Sequence, residues 1–202
     1  GCVNLTRIVV SKTHPKYDSR CNCNAIIETA TNKLIQGCKT TVIPDSVVEI
    51  APFAFYESYI TEIEIPDSVE KIGSAAFAAN SELRRISLSR NITEIECNAF
   101  AGCEKLETID LPPLLTTLES GLFSLCRNLR VFINEGITKI DDGALCGCYG
   151  IEVAKENNRY DSREGCNCVV ETATNTIIEG GRDVYIPDSI QDISLFALVR
   201  CN

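Results

Sequence analysis

The sequence has one histidine, no long apolar run and no block of basic residues, and each absence excludes a class of function. A catalytic triad needs a general base, but the sole histidine, His14, stands beside Pro15 in an expected loop, so catalysis is disfavoured. No stretch approaches the roughly 20 apolar residues that cross a bilayer, so we expect no transmembrane segment. A net charge of −9 without a basic cluster disfavours nucleic acid as a partner. Neither a glycine-rich phosphate loop nor a His-Glu-x-x-His zinc motif is present.

The chain does contain a unit that recurs every 22 or 23 residues. Four copies have a strand-end residue at the head: Ile65, Leu88, Leu111 and Ile133. Twelve positions further on, each copy has a bulky residue: Phe77, Phe100, Phe123 and Leu145. A fixed period of this length is typical of a solenoid, in which each turn of the chain buries its apolar face against its neighbours. We therefore expect the phenylalanines to stack into a buried spine.

Each coil is predicted to be rich in β-structure. The segment 83–88 alternates at its end as a strand does, and a polar turn such as Pro66–Ser68 follows the strands. Ile92 and Ile95 indicate a second short strand, and the residues around Phe100 indicate one helical turn. The predicted class is a β-rich α/β solenoid with parallel strands, short second strands and helical turns.

About eight coils are predicted, with strands that end at Val10, Ile43, Ile65, Leu88, Leu111, Ile133, Val153 and Ile186. Two coils are 33 residues long and are copies of each other, because Tyr17-Asp18-Ser19-Arg20 recurs 143 positions later at Tyr160-Asp161-Ser162-Arg163. Insertions at about 11–38 and 154–181 are predicted to form β-hairpins, since apolar segments flank a short polar turn in each. We expect one solenoid over 1–202, and a fragment of a longer protein because the chain opens on part of a coil.

Twelve cysteines are present, and their positions favour burial over chemistry. One position of the repeat holds only small side chains, which is where free cysteine packs well: Cys2, Ser58, Asn80, Cys103, Cys126, Cys148 and Cys201. The Cys-x-Cys pairs lack the usual two-residue spacing of zinc ligands, and the two insertions do not keep matching sets, so no metal site is expected. A Cys23–Cys38 disulfide across the first hairpin remains open as an alternative.

The outward face of the first strands is the expected binding surface. Alternate residues of a strand point to opposite faces, so one exposed column runs from Val9 to Tyr185 and its neighbour from Arg7 to Asp183. Aromatic and arginine side chains are common interface anchors. The candidate partner-binding residues are Glu64, Arg85, Ser87, Asp110, Arg130, Phe132, Glu152 and Tyr185. The alternative is that the aromatic members merely cover a thin sheet or pack beside a hairpin.

Several of these segments resemble the repeat of BspA-like leucine-rich-repeat proteins, among them Ile65-Pro66-Asp67-Ser68-Val69, Ala76-Phe77 and Asn98-Ala99-Phe100-Ala101-Gly102-Cys103. The two Tyr-Asp-Ser-Arg segments are similar to insertions in cell-surface members of that family. The resemblance covers essentially the whole chain. It implies a right-handed leucine-rich-repeat solenoid, export from a bacterial cell and no cofactor. Leu145 and Leu198 depart from the pattern, because they stand in place of the spine phenylalanine.

Repeat and resemblance lead to a first hypothesis, an exported or cell-surface bacterial interaction module. It would bind a host protein, a matrix protein or a glycan through its repeat surface, without chemistry of its own. The second hypothesis is a structural spacer or stalk that presents another domain and has no ligand. An enzyme is the third, and the missing base and missing pocket signature disfavour it.

Overall fold

The computed structural model describes residues 5–199, and the repeat forms a leucine-rich-repeat β-solenoid of about five turns with parallel strands. In chain order the strands are β1 (Tyr17–Asp18), β2 (Ile26–Glu28), β3 (Lys33–Gln36), β4 (Glu49–Ile50), β5 (Glu62–Glu64), β6 (Lys71–Ile72), β7 (Arg85–Ser87), β8 (Glu94–Ile95), β9 (Thr108–Ile109), β10 (Thr117–Leu118), β11 (Arg130–Ile133), β12 (Lys139–Ile140), β13 (Gly150–Val153), β14 (Tyr160–Asp161), β15 (Cys168–Glu171), β16 (Thr176–Gly180) and β17 (Asp192–Ile193). Two short 3-10 helices span Arg20–Asn22 and Arg163–Gly165.

The first strands of successive turns form what we call the first ladder: β5, β7, β9, β11 and β13. Strand β5 pairs with β7, and β9 pairs with β11, which pairs with β13; all three pairings are parallel. The second strands form the second ladder, in which β3, β4, β6 and β8 pair in order and β10 pairs with β12. These strands are short because each turn of the solenoid changes direction after a few residues, as the sequence pattern predicts.

The predicted helical turn is not observed; the segment is a series of tight turns. Within one turn of the solenoid, Ala78 N–H donates to Ala75 O at 3.1 Å, but Phe77 N–H donates to Ala99 O of the next turn at 2.8 Å. Donors thus alternate between their own segment and the neighbouring one. Ala75 also has a φ of +51°, outside the right-handed helical region. The carbonyl groups of the neighbouring turn compete successfully with a local helix, because every turn repeats the same geometry.

The main apolar core is organised around the phenylalanine spine, and a second, smaller cluster lies under the second insertion. Phe55, Phe77, Phe100 and Phe123 are fully buried, and their rings stack nearly parallel at centroid distances of 4.9, 5.5 and 5.7 Å. Leu145 continues the spine and is equally buried. Aromatic stacking at this separation is favourable beyond area burial alone. The sequence prediction of a buried spine is confirmed.

The small-residue position of the repeat lies next to the spine, and its side chains donate to spine carbonyl groups. Cys103 Sγ donates to Phe77 O at 3.4 Å, and Cys126 Sγ to Phe100 O at 3.1 Å. Asn80 uses the same position to donate from Nδ2 to the carbonyl group of the preceding spine residue at 2.7 Å. The position therefore needs a small donor, which explains why both cysteine and asparagine occur there. Cys2 and Cys201 lie outside the described residues.

Each insertion contributes three antiparallel strands: β1, β2 and β3 in the first, β14, β15 and β16 in the second. The Tyr-Asp-Ser-Arg motif holds each one together. Arg20 donates to both Asp18 oxygens and, at 2.7 Å, to Asn32 Oδ1. Ser19 Oγ accepts from Val10 N–H at 3.0 Å, which attaches the insertion to the preceding segment. The second copy repeats every one of these contacts.

The predicted eight coils are not confirmed, because three of the expected first strands are not strands in the structure. These are the segments that end at Val10, Ile43 and Ile186. Val42 N–H donates to Cys23 O of the first insertion, and Tyr185 N–H donates to Cys166 O of the second, both at 3.1 Å. A few hydrogen bonds to a loop replace the continuous ladder that a neighbouring strand would offer.

Candidate binding surface

Seven of the candidate residues lie on the exposed face of the first ladder or, like Asp110, directly after one of its strands. Tyr185 lies beside the second insertion in a segment that is not a strand, and all eight residues are exposed. Strand register sets their neighbours: Glu64 is opposite Ser87, and Phe132 is opposite Glu152. Arg130 lies between Thr108 of β9 and Gly150 of β13 in the adjacent column. The sequence therefore identified the residues that face outward and, within each sheet, their order.

The structure divides these eight residues between two grooves and one separate position. We call the smaller depression, about 580 Å³, the small groove; Glu64, Arg85 and Ser87 line it together with Thr41–Ile43 and Asp45. We call the larger one, about 1060 Å³, the insertion groove, because the second insertion forms one wall of it. Asp110, Arg130, Phe132 and Glu152 line its floor. Tyr185 lies outside both grooves.

The wall of the insertion groove is attached to the first ladder by side-chain hydrogen bonds at two points. Ser162 Oγ accepts from Val153 N–H at 3.0 Å, at the end of β13. Asn167 Oδ1 accepts from Ile151 N–H at 2.8 Å, and its Nδ2 donates to Tyr149 O at 3.3 Å. Since both attachments use backbone groups of the same strand, the wall is held in place relative to the floor.

Arg130 lies across the floor because Gly150 leaves room for it. A Cβ at Gly150 would lie 3.3 Å from both Cγ and Nη1 of Arg130, closer than nearly all real contacts. The Arg130 guanidinium instead stacks over the Tyr149 ring, 4.4 Å from its centroid. Such cation–π contacts stabilise a side chain in one orientation. Arg130 is therefore positioned by its own neighbours before any ligand arrives.

The wall also contains an ion pair that serves the insertion itself. Arg163 and Asp161 approach to 2.6 Å, and Arg163 Nη1 donates to Asn175 Oδ1 at 2.9 Å. Hydrogen bonding to Asp161 raises the pKa of Arg163 above its ordinary value. These two charges are neutralised by each other, so we assign them to the fold of the wall and not to a ligand.

Three of the residues that shape the groove were not among the sequence candidates: Tyr149, Gly150 and Asn167. For Asn167 a signal was present, because Asn24 occupies the same position 143 residues earlier. Both asparagines have positive φ values, 54° and 53°, a conformation that asparagine tolerates better than most residues. Gly150 and Tyr149 have no comparable signal in the sequence, because their contacts with Arg130 depend on the pairing of two strands.

Seven of the ten described thiol groups are buried, and the imidazole group is hydrogen-bonded to the backbone. All ten described cysteines are free thiols, so Cys23 and Cys38 are not bridged. Burial raises the pKa of the Cys148 thiol, which keeps it protonated and unreactive. His14 Nδ1 accepts hydrogen bonds from the backbone N–H groups of Lys16 and Tyr17, at 3.2 and 3.0 Å.

Across residues 5–199, no group of three or more His, Cys, Asp or Glu is arranged to hold a metal ion. The same part of the chain contains no helix of the length and apolarity that would cross a bilayer.

Comparison with solved structures shows the same fold in several bacterial proteins. A leucine-rich-repeat protein of T. pallidum is 24% identical, with a TM-score of 0.56 over 72% of this chain and 71% of that one. One from Eubacterium ventriosum is 14% identical, with a TM-score of 0.62 over 93% of this chain and 56% of that one. A leucine rich cell surface protein of Faecalibacterium prausnitzii is 20% identical, with a TM-score of 0.51 over 97% and 69%. At these identities the similarity shows the fold alone.

Comparison with curated proteins gives no match. The family model of the BspA type leucine rich repeat region, in contrast, matches residues 25–152 in 6 copies, which is more than half of the chain. The resemblance inferred from the repeat is thus confirmed, and the chain belongs to the BspA-type leucine-rich-repeat family.

Proposed function

We propose that this chain is an interaction module displayed on the outside of a bacterial cell, where it holds a protein or glycan partner against the first ladder. One observation carries the proposal: Asp110, Arg130, Phe132 and Glu152 line a single groove whose wall is the second insertion. Solenoids commonly bind partners on such extended faces. Binding requires no covalent chemistry, and we propose none.

Phe132 is the expected anchor of the interaction. Its side chain is 52% exposed on the groove floor. A large apolar side chain is more often buried, so an exposed one in a groove is available to a partner. Covering the exposed half of the ring contributes about 1 kcal/mol from apolar burial. Buried aromatic anchors often dominate interface energies, so this residue should matter more than its polar neighbours.

Screening against arrays of glycans and matrix proteins tests the proposal. We expect at least one ligand to bind the chain, and Phe132→Ala to weaken that binding about tenfold. Tyr185→Ala is the matched control, because Tyr185 is an aromatic residue of similar exposure, 54%, that lies outside both grooves. The control should bind as the parent chain does.

Two outcomes would contradict the proposal. If no array ligand binds, or if binding survives substitutions at Phe132 and at Arg130, the chain is better described as a spacer that presents another domain. Hydrolysis of an arrayed sugar would instead favour an enzyme.

A further inference from the structure

We propose that the partner of the insertion groove is a basic protein segment, whose lysine or arginine side chains lie against Phe132 and the carboxylates around it. This inference rests on the proposed function and specifies the chemistry of its ligand. Three features of the groove support a basic partner: its unpaired carboxylates, their contrast with the second ladder, and the spacing of the floor residues.

The carboxylates of the groove outnumber its available cations. Five acidic and three basic side chains line it. Asp161 and Arg163 pair with each other, and Arg130 lies on Tyr149. Lys155 is the remaining cation of the lining, so the groove has a net negative charge. Within residues 5–199, four lining carboxylates have no ion-pair partner: Asp110, Glu152, Glu156 and Glu164. An uncompensated acidic groove attracts cations and raises their association rate.

The second ladder shows that this chain neutralises charges where no partner is needed. Lys33 contacts Glu49 at 2.6 Å, and Lys71 contacts both Glu94 and Glu96, at 3.0 and 2.6 Å. Register places Lys33, Glu49, Lys71 and Glu94 in one column of alternating sign. In the first ladder, Glu62 lies opposite Arg85 at 3.8 Å, but the outward column that contains Asp110, Phe132 and Glu152 holds no basic side chain. The carboxylates of that column therefore have no cross-strand cation of the kind found in the second ladder.

The spacing of the floor residues fits an extended basic segment. Glu152 lies opposite Phe132, and Asp110 directly follows β9, the strand on the other side of β11. Neighbouring strands are about 4.8 Å apart, so the two outer strands that present Asp110 and Glu152 are about 10 Å apart. A polyproline II chain repeats every three residues at about 3.1 Å per residue. Cationic side chains three positions apart then lie about 9 Å apart on one face. The aromatic ring between them can accept a cation or an alkyl chain on its face.

A neutral glycan gains nothing from the net charge of this groove, and an anionic one is repelled by it. A basic peptide gains both the charge and the aromatic contact. Since exposed ion pairs contribute only about 0.2–1 kcal/mol each, we expect binding that is moderate and sensitive to salt.

Fluorescence polarisation with a labelled proline-rich peptide tests the inference, using two arginines three positions apart. A second peptide replaces both arginines by citrulline, which keeps the shape and removes the charge. We expect the arginine peptide to bind, with affinity falling as ionic strength rises, and the citrulline peptide to bind about tenfold more weakly.

Variants of the chain locate the interaction. The double variant Asp110→Asn, Glu152→Gln should lose about tenfold in affinity for the arginine peptide. The control Glu135→Gln, Asp188→Asn makes the same change of net charge at exposed positions outside both grooves, and should stay within about twofold. Thermal melts by circular dichroism verify that both double variants are folded.

The inference is overturned if the arginine peptide does not bind, if citrulline binds equally well, or if the control variant loses as much affinity as the groove variant. These outcomes can be separated from failure of the proposed function. An array ligand that depends on Phe132 but ignores charge would preserve the interaction module and refute only the basic partner.

Discussion

The buried carboxyl group of Glu179 should make stability depend on pH, and Glu179→Gln should remove that dependence. Glu179 lies on β16, is only 2% exposed, and accepts a hydrogen bond from the Gly143 backbone N–H. Burial raises the pKa of Glu179 to about 7, and the nearby charge of Asp142 adds to the effect. The Glu179 carboxyl group therefore joins the second insertion to the preceding turn of the solenoid, and its neutral form is lost as the pH rises through about 7.

The sign and size of the effect follow from proton linkage. The pKa of Glu179 is raised from 4.5 to about 7, so the folded state binds more protons between these values. The stability contributed by the neutral group is fully present below about pH 4.5 and is lost as pH rises through about 7. At about 1.4 kcal/mol per unit, the parent chain loses up to about 3 kcal/mol of unfolding free energy by pH 8.

Urea unfolding, followed by circular dichroism between pH 4.5 and 8, measures this loss. Glu179→Gln should show a flat profile and exceed the parent chain at pH 8. The reciprocal change Gln36→Glu, at the equivalent position of the first insertion, should introduce a smaller slope because Gln36 is only partly buried. Two other perturbed groups titrate outside this window, because Arg20 lowers the pKa of Asp18 to about 2 and burial raises the pKa of Cys148 above 9. A slope that persists in Glu179→Gln would refute the reasoning.

Two further substitutions test the packing of the solenoid. Phe100→Ala should reduce the unfolding free energy by about 3–5 kcal/mol, because it leaves an unfilled cavity in the spine. The control Phe53→Ala, at a position that is 57% exposed, should reduce it by about 0.5 kcal/mol. Equal urea midpoints for the two variants would show that the spine does not contribute to stability. Gly73→Ala should cost about 1–3 kcal/mol, because its Cβ would lie 2.5 Å from the backbone nitrogen of Pro52; an unchanged thermal midpoint would contradict this close approach between turns.

Residue spacing alone was enough to identify the spine and the small-donor position. Phe77, Phe100 and Phe123 are spaced 23 residues apart, and only a backbone that stacks turn upon turn gives residues with such a spacing the same environment. The helical turn was a wrong prediction for a physical reason. Residues such as Asn98 and Phe100 are compatible with a helix locally, but the carbonyl groups that accept their N–H donors, Ser120 O and Leu122 O, belong to the next turn. Local propensity contains no information about that competition.

The candidate surface shows the same division. Alternation along the strands was sufficient to place Phe132 and Glu152 on the outer face, because side chains of a strand point to opposite sides in turn. Nothing in that alternation predicts a groove. The groove exists because Ser162 and Asn167 attach the second insertion to β13, and these contacts cross from one element to another. Glu179 likewise looks like an ordinary charged strand residue until the preceding turn covers it.

The sequence by itself therefore determined the family, the stacking order and the identity of the buried and exposed columns, since these follow from a period and an alternation that any single coil repeats. Tertiary structure alone decided which segments became strands, where the insertions docked, and which of the exposed charges found partners. The reason is physical: hydrogen bonds and ion pairs between turns depend on the distance between groups that are far apart in the chain, and no local pattern records that distance.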